Sequence, residues 1–402
     1  MTALDTAAQR SALSSLWRNE FVRSIILQVL AGVVLLAAIA FFVHNTAVNL
    51  EKRGIASGFD FLSGTSGFDI SISLVPYTLQ STYGRAFLVG LLNTLLVSAI
   101  GIVLATIIGF IVGIARLSKN FLVATLAAAY VDVIRNIPLL AQIIFWYFGV
   151  LTSLPGVKQS LRILNISDDS SIFYLNTRGL YMPAPILQPG FWLIPAAFIV
   201  GIVTTIILAR WAKHRQDLTG QQFPVFWAGL GLIAGLPILK GLVGGFHVSW
   251  SMPQLQGFNF VGGMDILPEF VALLLALSIY TAAFIAEIVR GGIQAISHGQ
   301  TEAALALGLR GTQTTRLVIL PQALRIIVPP LTSQFLNLTK NSSLAVVIGY
   351  PELVSVFMGT VLNQTGQAVE VIAITMSVYL VISLVISAFM NWYNRHIALV
   401  ER

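Results

Sequence analysis

The chain has 402 residues, 56% of them apolar and only 10% charged, with no cysteine and a formal charge of +7. A water-soluble protein this poor in charge could not cover its own surface, so the composition excludes an ordinary soluble fold and makes lipid the solvent for most of the chain. The lack of thiols excludes disulfides, thiolate metal sites, iron–sulfur clusters and cysteine nucleophiles, and the isolated His44, His214, His247, His298 and His396 match no metal-ligand spacing.

Eight apolar stretches lie near residues 24–43, 86–115, 122–151, 190–209, 223–245, 266–289, 324–349 and 368–390. Each is long enough to cross a bilayer core as a helix rising about 1.5 Å per residue. The pattern predicts an all-α polytopic membrane protein with about eight spans. The first stretch superficially suggests a signal peptide, with basic residues before it and Ala38-Ile39-Ala40 near its end. Its apolar run from Ser24 to Val43 exceeds the roughly 7–15 residues of a signal-peptide core, so it reads as an uncleaved helix. The connections 44–85 and 152–189 are rich in Gly, Ser, Pro and Asp, and Pro155, Pro183, Pro185 and Pro189 punctuate the second. Both read as short caps or docking loops, not domains. Pro237 and Lys240 interrupt the fifth stretch.

Cation placement orients these spans. With the N-terminus inside, the inner segments carry Arg10, Arg18, Arg23, Arg116, Lys119, Arg210, Lys213, Arg215, Arg290, Arg310, Arg316, Arg325, Arg395 and Arg402. The outer ones carry Lys52, Arg53, Arg85, Lys158, Arg162, Arg178 and Lys240, while Arg135 and Lys340 fall within apolar stretches. This asymmetry puts both termini in the cytoplasm and accounts for the positive charge without nucleic acid.

The segment 296–330, between the sixth and seventh stretches, is expected on the cytoplasmic side. Ser297 or Thr301 can cap a helix beginning with Glu302 and running through Ala303, Ala304, Leu305, Ala306 and Leu307. Gly308 and Gly311 then permit sharp turns. Small exposed side chains and one carboxylate suit a rigid peg that fits a groove in a cytosolic partner. The same residues suit an amphipathic connector on the membrane surface equally well.

Glu302-Ala303-Ala304, then Gly308, then Leu320-Pro321 resembles the EAA loop of bacterial ABC-importer permeases, with Val318 where that family's pattern has Ile. The stretches 91–118, 130–149, 279–308 and 338–354 resemble its polar amino-acid branch, the histidine/glutamine/arginine permeases. The resemblance covers roughly 86–151 and 266–395, two parts of a five-helix permease core. An added N-terminal helix within 1–85 and an insertion at 152–265 with two further spans look like the long permease subunits of general L-amino-acid systems, leaving 396–402 as a cytoplasmic tail. The resemblance implies a permease subunit in the bacterial inner membrane that translocates amino acids by alternating access. It implies a second homologous permease, a cytosolic ATPase dimer that docks on Glu302, Ala303, Ala304 and Gly308 and holds ATP and Mg, and a periplasmic amino-acid-binding protein.

Within the membrane, Pro329-Pro330 is expected to interrupt the seventh span, with Lys340, Asn341, Ser342 and Ser343 inside it. An ammonium at that depth is costly unless it meets an anion or a water-filled path, and an amino acid's α-carboxylate would suit it. Snorkelling of Lys340 to an interface is the plainer alternative. Gln142, just after Pro138, is a second pathway candidate, or a helix–helix hydrogen bond. Glu287 with Arg290, and Asp132 with Arg135, read as structural pairs. Gly109 and Gly113 permit close helix packing.

The run Gly229–Gly235 superficially resembles a dinucleotide loop, but its third glycine comes one residue late and it lies inside an apolar span. No Gly-Lys-Ser/Thr occurs, so the chain has no P-loop and is expected to be neither an ATPase nor an enzyme, with no cofactor of its own. A secondary transporter driven by an ion gradient would need intramembrane carboxylates and inverted repeats, but the central parts of these stretches are nearly free of carboxylates and no repeat is visible. An intramembrane hydrolase would need a Ser/His or paired-Asp arrangement at helix depth, and the histidines lie near span ends or in loops.

Overall fold

A computed structural model of the chain describes residues 20–52, 57–167, 170–245 and 248–397. Arg10, Arg18, Arg53, His247, Arg402 and the tail beyond 397 lie outside them. In chain order, α1 spans Glu20–Lys52, α2 Tyr83–Ala115, α3 Phe121–Asn136 and α4 Leu139–Ile144, which runs on as π-helical turns over Phe145–Leu151. Strands β1 (Leu161–Ser167), β2 (Ser170–Asn176), β3 (Gly179–Met182) and β4 (Ala184–Leu187) follow. Next come α5 (Leu193–Thr219) and α6 (Val225–Gly244). Strands β5 (Val248–Ser251), β6 (Gln254–Gln256), β7 (Asn259–Val261) and β8 (Met264–Ile266) lead into α7 (Pro268–Gln294). The last part holds α8 (His298–Ala306), α9 (Gly311–Thr314), π turns over Thr315–Ile319, α10 (Leu320–Asn341) and a 3-10 segment Ser342–Ile348. Further π turns over Val354–Val361, α11 (Leu362–Thr365) and α12 (Ala368–Ile397) complete the chain.

Among the described residues six helices, α1, α2, α5, α6, α7 and α12, are long and apolar enough to cross a membrane, and α3 with α4 makes a seventh span if the bent pair counts as one. The expected count of about eight spans is not confirmed among the described residues. The third stretch breaks by 104° between α3 and α4. Pro138 has no N–H to donate and pushes Ile137 into extended backbone (φ −94°, ψ 126°). The seventh stretch, α10, is helical but falls short on apolarity, since Gln322, Arg325, Gln334, Asn337 and Lys340 all lie on it.

Two expected interruptions do not occur. α10 runs without a break through Pro329 and Pro330, and α6 through Pro237. Each proline withdraws one donor, but in α10 the buried face of Ala323, Ile327, Val328 and Leu331 packs on α7 and holds the helix together. A second difference lies between the spans. Residues 152–189 are not merely loops: with 248–266 they form antiparallel sheets, a four-stranded one ordered β1-β2-β3-β8 and the pairs β4-β5 and β6-β7. Phe260 lies between Tyr174 and Tyr181, with ring centroids 4.7 and 4.5 Å away. These aromatics give the strands an apolar layer of their own.

The chain clusters into two compact units, residues up to 96 with those from 351 onward, and residues 97–350. In the first, Asn93 on α2 donates through Nδ2 to the carbonyls of Ile72 and Pro351, each at 2.9 Å. Thr94 Oγ1 accepts from the Leu353 amide at 3.0 Å. Glu352 is fully buried and accepts from the Val354 and Ser355 amides at 2.8 and 2.7 Å and from Tyr379 Oη at 3.0 Å. It caps the turns that follow it. The partners it has gathered are what make a buried carboxylate tolerable.

In the second unit α7 is the spine. Of its apolar window 56% is buried, twice the fraction of any other span. Its small residues Ala272, Ala276, Ala282, Ala283 and Ala286 admit neighbours closely. A Cβ on Gly109 would lie 2.6 Å from Ile285 Cβ, and one on Gly113 2.7 Å from the Ala286 carbonyl. These glycines set the distance between α2 and α7. Tyr130 on α3 donates to the Ile279 carbonyl at 2.7 Å, adding a third helix. Gly113→Val is expected to cost about 1–3 kcal/mol by overpacking. It should lower the melting temperature of the detergent-solubilised chain, and an unchanged melt would contradict the close approach.

Candidate functional site

The segment joining α7 to α10 is rigid because both its ends and its middle are tied. Near the C-terminal end of α7, Glu287 bonds two guanidiniums, Arg290 one turn on (Nε at 3.1 Å) and Arg116 just past α2. The side chains of Arg116 and Glu287 are 15% and 30% exposed, so the contact is partly screened and acts more as a locator than as a large source of stability. The pairing of Glu287 with Arg290 follows the sequence reading. The reach of Arg116 across 171 positions had no local signal. Arg135 stands over the Phe284 ring at 5.0 Å, and among the described residues the only two salt bridges are those of Glu287.

Ser297 then caps α8, its Oγ accepting from the Gly299 amide at 3.2 Å. The helix therefore starts at His298. Glu302 lies in its second turn and is exposed, not at its first position as expected, because the earlier of two possible caps is used. Ala303 is exposed on the same short helix, while Ala304 is buried beneath it at 3% exposure. The carboxylate and one alanine therefore face outward, while the neighbouring alanine anchors the helix.

The C-terminus of α8 closes in a Schellman motif. The Leu309 amide donates to the Ala304 carbonyl at 3.2 Å and the Gly308 amide to the Leu305 carbonyl at 2.9 Å. Gly308 sits at φ +79°, where a side chain would be strained, which explains the glycine at this position. Gly311, by contrast, makes no sharp turn. It opens α9, where the Gln313 side chain accepts from the Arg310 amide at 3.0 Å. Leu320 and Pro321 open α10, both exposed. Gln322 Nε2 reaches back to Gln300 Oε1 at 3.1 Å and so ties α8 to the start of α10. A Cβ on Gly292 would meet Ile327 at 2.4 Å, so α7 and α10 touch directly beside the loop. α8 is thus a short peg between α7 and α10 in the chain, resting on α9 and the π turns Thr315–Ile319 and tied to α10 through Gln300–Gln322.

The pathway candidates fall in two places. Gln142 on α4 is 5% exposed. Its Nε2 donates to the Ile134 and Ile137 carbonyls, each at 3.0 Å, which the break at Pro138 leaves without helical donors. Its Oε1 is buried without a partner. Lys340 is exposed in the last turn of α10, and Asn341 is half-buried after it. Ser342 is fully buried, its Oγ donating to the Thr339 carbonyl at 2.7 Å. No hydrogen bond among the described residues joins Gln142 to the other three. The polar pair Tyr147–Glu269, at 2.8 Å between the turns after α4 and the start of α7, was not anticipated from sequence.

Residues 218–399 match the family model described as binding-protein-dependent transport system inner membrane component. Over 380 residues the chain is 53% identical to the general L-amino acid transport system permease protein AapQ of Rhizobium johnstonii, covering 94% of this chain and 93% of that one. It is 44% identical over 416 residues to the glutamate/glutamine/aspartate/asparagine transport system permease protein BztB of Rhodobacter capsulatus, covering 97% of each.

The left-handed position of Gly308 gives a local test. Gly308→Ala should destabilise the end of α8 by about 1–2 kcal/mol. Hydrogen exchange of the Leu307–Leu309 amides should accordingly quicken at least about fivefold. Unchanged exchange there would mean that the Schellman turn is not held.

Proposed function

The chain belongs to the inner-membrane permease subunits of ABC amino-acid importers, of the general L-amino-acid type, and from that premise we propose how its parts divide the work. The permease core is 86–151 and 266–395, the insertion 152–265 and the segment 1–85 are additions to it, and 396–402 is a cytoplasmic tail. Both termini face the cytoplasm. ATP with Mg is bound and hydrolysed in a separate cytosolic ATPase dimer. A second homologous permease completes the pore, and a periplasmic binding protein delivers a broad range of L-amino acids.

The observation that carries this reading is the peg itself. α8 presents Glu302 and Ala303 outward, is stopped by Gly308, and is fastened through Ala304, Gln300–Gln322 and the α7–α10 contact. An ATPase that closes on α8 can therefore pull on α7 and α10 together, and Leu320 and Pro321 lie where that motion enters α10. Coupling requires only that the ATPase bind α8 differently in its open and closed states. An ion-gradient mechanism has no support from the family to which the chain belongs.

For substrate, Lys340 is the exposed cation at the end of α10 and suits an α-carboxylate, with Asn341 beside it. Gln142 and Ser342, whose donors are spent on backbone carbonyls, hold the break at Pro138 and the end of α10, which shape the path.

Glu302→Arg should abolish amino-acid uptake while membrane insertion stays normal and the ATPase no longer co-purifies. Normal uptake by this variant would sink the coupling assignment. Lys340→Met removes a charge-assisted contact of about 1.5–3 kcal/mol, so uptake at low substrate should fall about tenfold or more. If uptake is unchanged, the carboxylate is bound elsewhere.

A further inference from the structure

We propose that the turn between α5 and α6 is a binding site for anionic phospholipid headgroups. The two helices pack on each other and bury little against the rest. A Cβ on Gly201 would come within 2.7 Å of the Leu232 carbonyl, and one on Gly229 within 2.6 Å of Thr205. Only 6% of the apolar window of α5 and 11% of that of α6 is buried. Val200, Val203, Ile206, Ile207 and Leu230 therefore face outward, as lipid-contacting side chains do.

At the turn the chemistry changes. Arg210, Lys213 and Arg215 are all exposed, and Asp217 is the only carboxylate between residues 210 and 224. None of the three cations forms a salt bridge among the described residues. Ala212, 4% exposed, marks the inward side of α5; at about 100° per residue Arg210 lies nearly opposite it, Lys213 to one side and Arg215 about 60° round, so the cations fan around the exposed end of the helix. The cluster is also ordered. The Arg215 guanidinium lies 5.5 Å from the Trp211 ring and donates to Gln221 at 2.7 Å. Trp211 meets Phe223 edge-on at 5.7 Å, and Phe226 and Trp227 stand 72% and 70% exposed on the other leg.

Exposed indoles beside an apolar helix face settle at headgroup depth. That places the unpaired cations level with lipid phosphates and continuous with the lipid-facing surface. A free anion or a soluble protein would gain nothing from that continuity. Anionic headgroups therefore fix the depth and rotation of a hairpin that protein packing leaves free.

The test is native mass spectrometry of the full-length chain in detergent, titrated with phosphatidylglycerol and, separately, phosphatidylcholine. The native chain should retain phosphatidylglycerol preferentially. The triple variant R210Q/K213Q/R215Q should bind it about tenfold more weakly, each cation near an anionic surface being worth about fivefold at most. Lys119→Gln, an exposed cation elsewhere, should leave binding unchanged. Should the triple variant fail to fold, Arg215→Gln against Arg215→Lys gives the same contrast, with loss expected only in the first. Equal retention of the two lipids, undiminished binding by the charge-removing variants, or full competition by millimolar inorganic phosphate would each overturn the proposal. Loss of a co-purifying protein with lipid binding intact would overturn it in favour of a protein partner.

Discussion

The closeness of α7 to its neighbours governs residues 97–350. Gly109 and Gly113 bring α2 against it, and Gly292 admits Ile327 of α10, at separations that a single methyl group would violate. In lipid the usual drive to bury apolar surface is absent, because the solvent is as apolar as leucine. Packing, and the hydrogen bonds that packing permits, must hold the helices together. Small residues along α7 therefore carry the weight that large core residues carry in water. For the coupling role proposed above the consequence is direct. Because α7 touches both α2 and α10 without slack, the peg between α7 and α10 has no soft element behind it to absorb a push.

The same constraint decides which prolines matter. A freed carbonyl inside a membrane needs a partner, and the partner must come from protein. At Pro138 the chain turns and Gln142 supplies the donor twice over, to Ile134 and Ile137. At Pro329 and Pro330 the helix continues, packed on α7, where Ile327 meets Gly292, with Val328 and Leu331 also buried. Proline removes a bond in each case, and what the neighbours offer determines whether a kink, a break or a continuous helix results. Gln142 is thus fixed by the break whatever else it contacts.

Much of this was legible from the residues. The apolar runs located the helix starts to within a few positions, while ends such as those of α1 and α5 run on to Lys52 and Thr219, well past 43 and 209. The spacing of Gly109 and Gly113 announced a close contact. Glu302 to Gly308 announced a capped helix that ends in a left-handed residue. What escaped was the non-local part. Whether a Pro-Pro pair breaks a helix depends on the surface facing it, and nothing in 324–349 encodes that surface. The pairing of Arg116 with Glu287 joins positions far apart in sequence. The strands at 161–187 and 248–266 each lack a long alternating pattern; β1, β2 and β3 pair in chain order, and β8 joins them only by meeting β3 across the α5–α6 hairpin. A choice between Ser297 and Thr301 as cap was open on propensity alone. Ser297 wins, and the longer helix places Glu302 on a full turn of backbone instead of at a fraying end.

That last displacement bears on how coupling can work. A carboxylate at the first position of a helix is favoured by the dipole and sits on the least stable residue of the element. In the second turn Glu302 lies instead over backbone whose amides already have helical acceptors, with Ala304 buried beneath and Gln300 bonded to α10. A partner that grips this face grips a part of the helix anchored by the buried Ala304 and tied through Gln300 to Gln322 of α10. The geometry therefore favours rigid-body transmission over local refolding, and it does so through one buried alanine, one glutamine pair and one glycine at φ +79°.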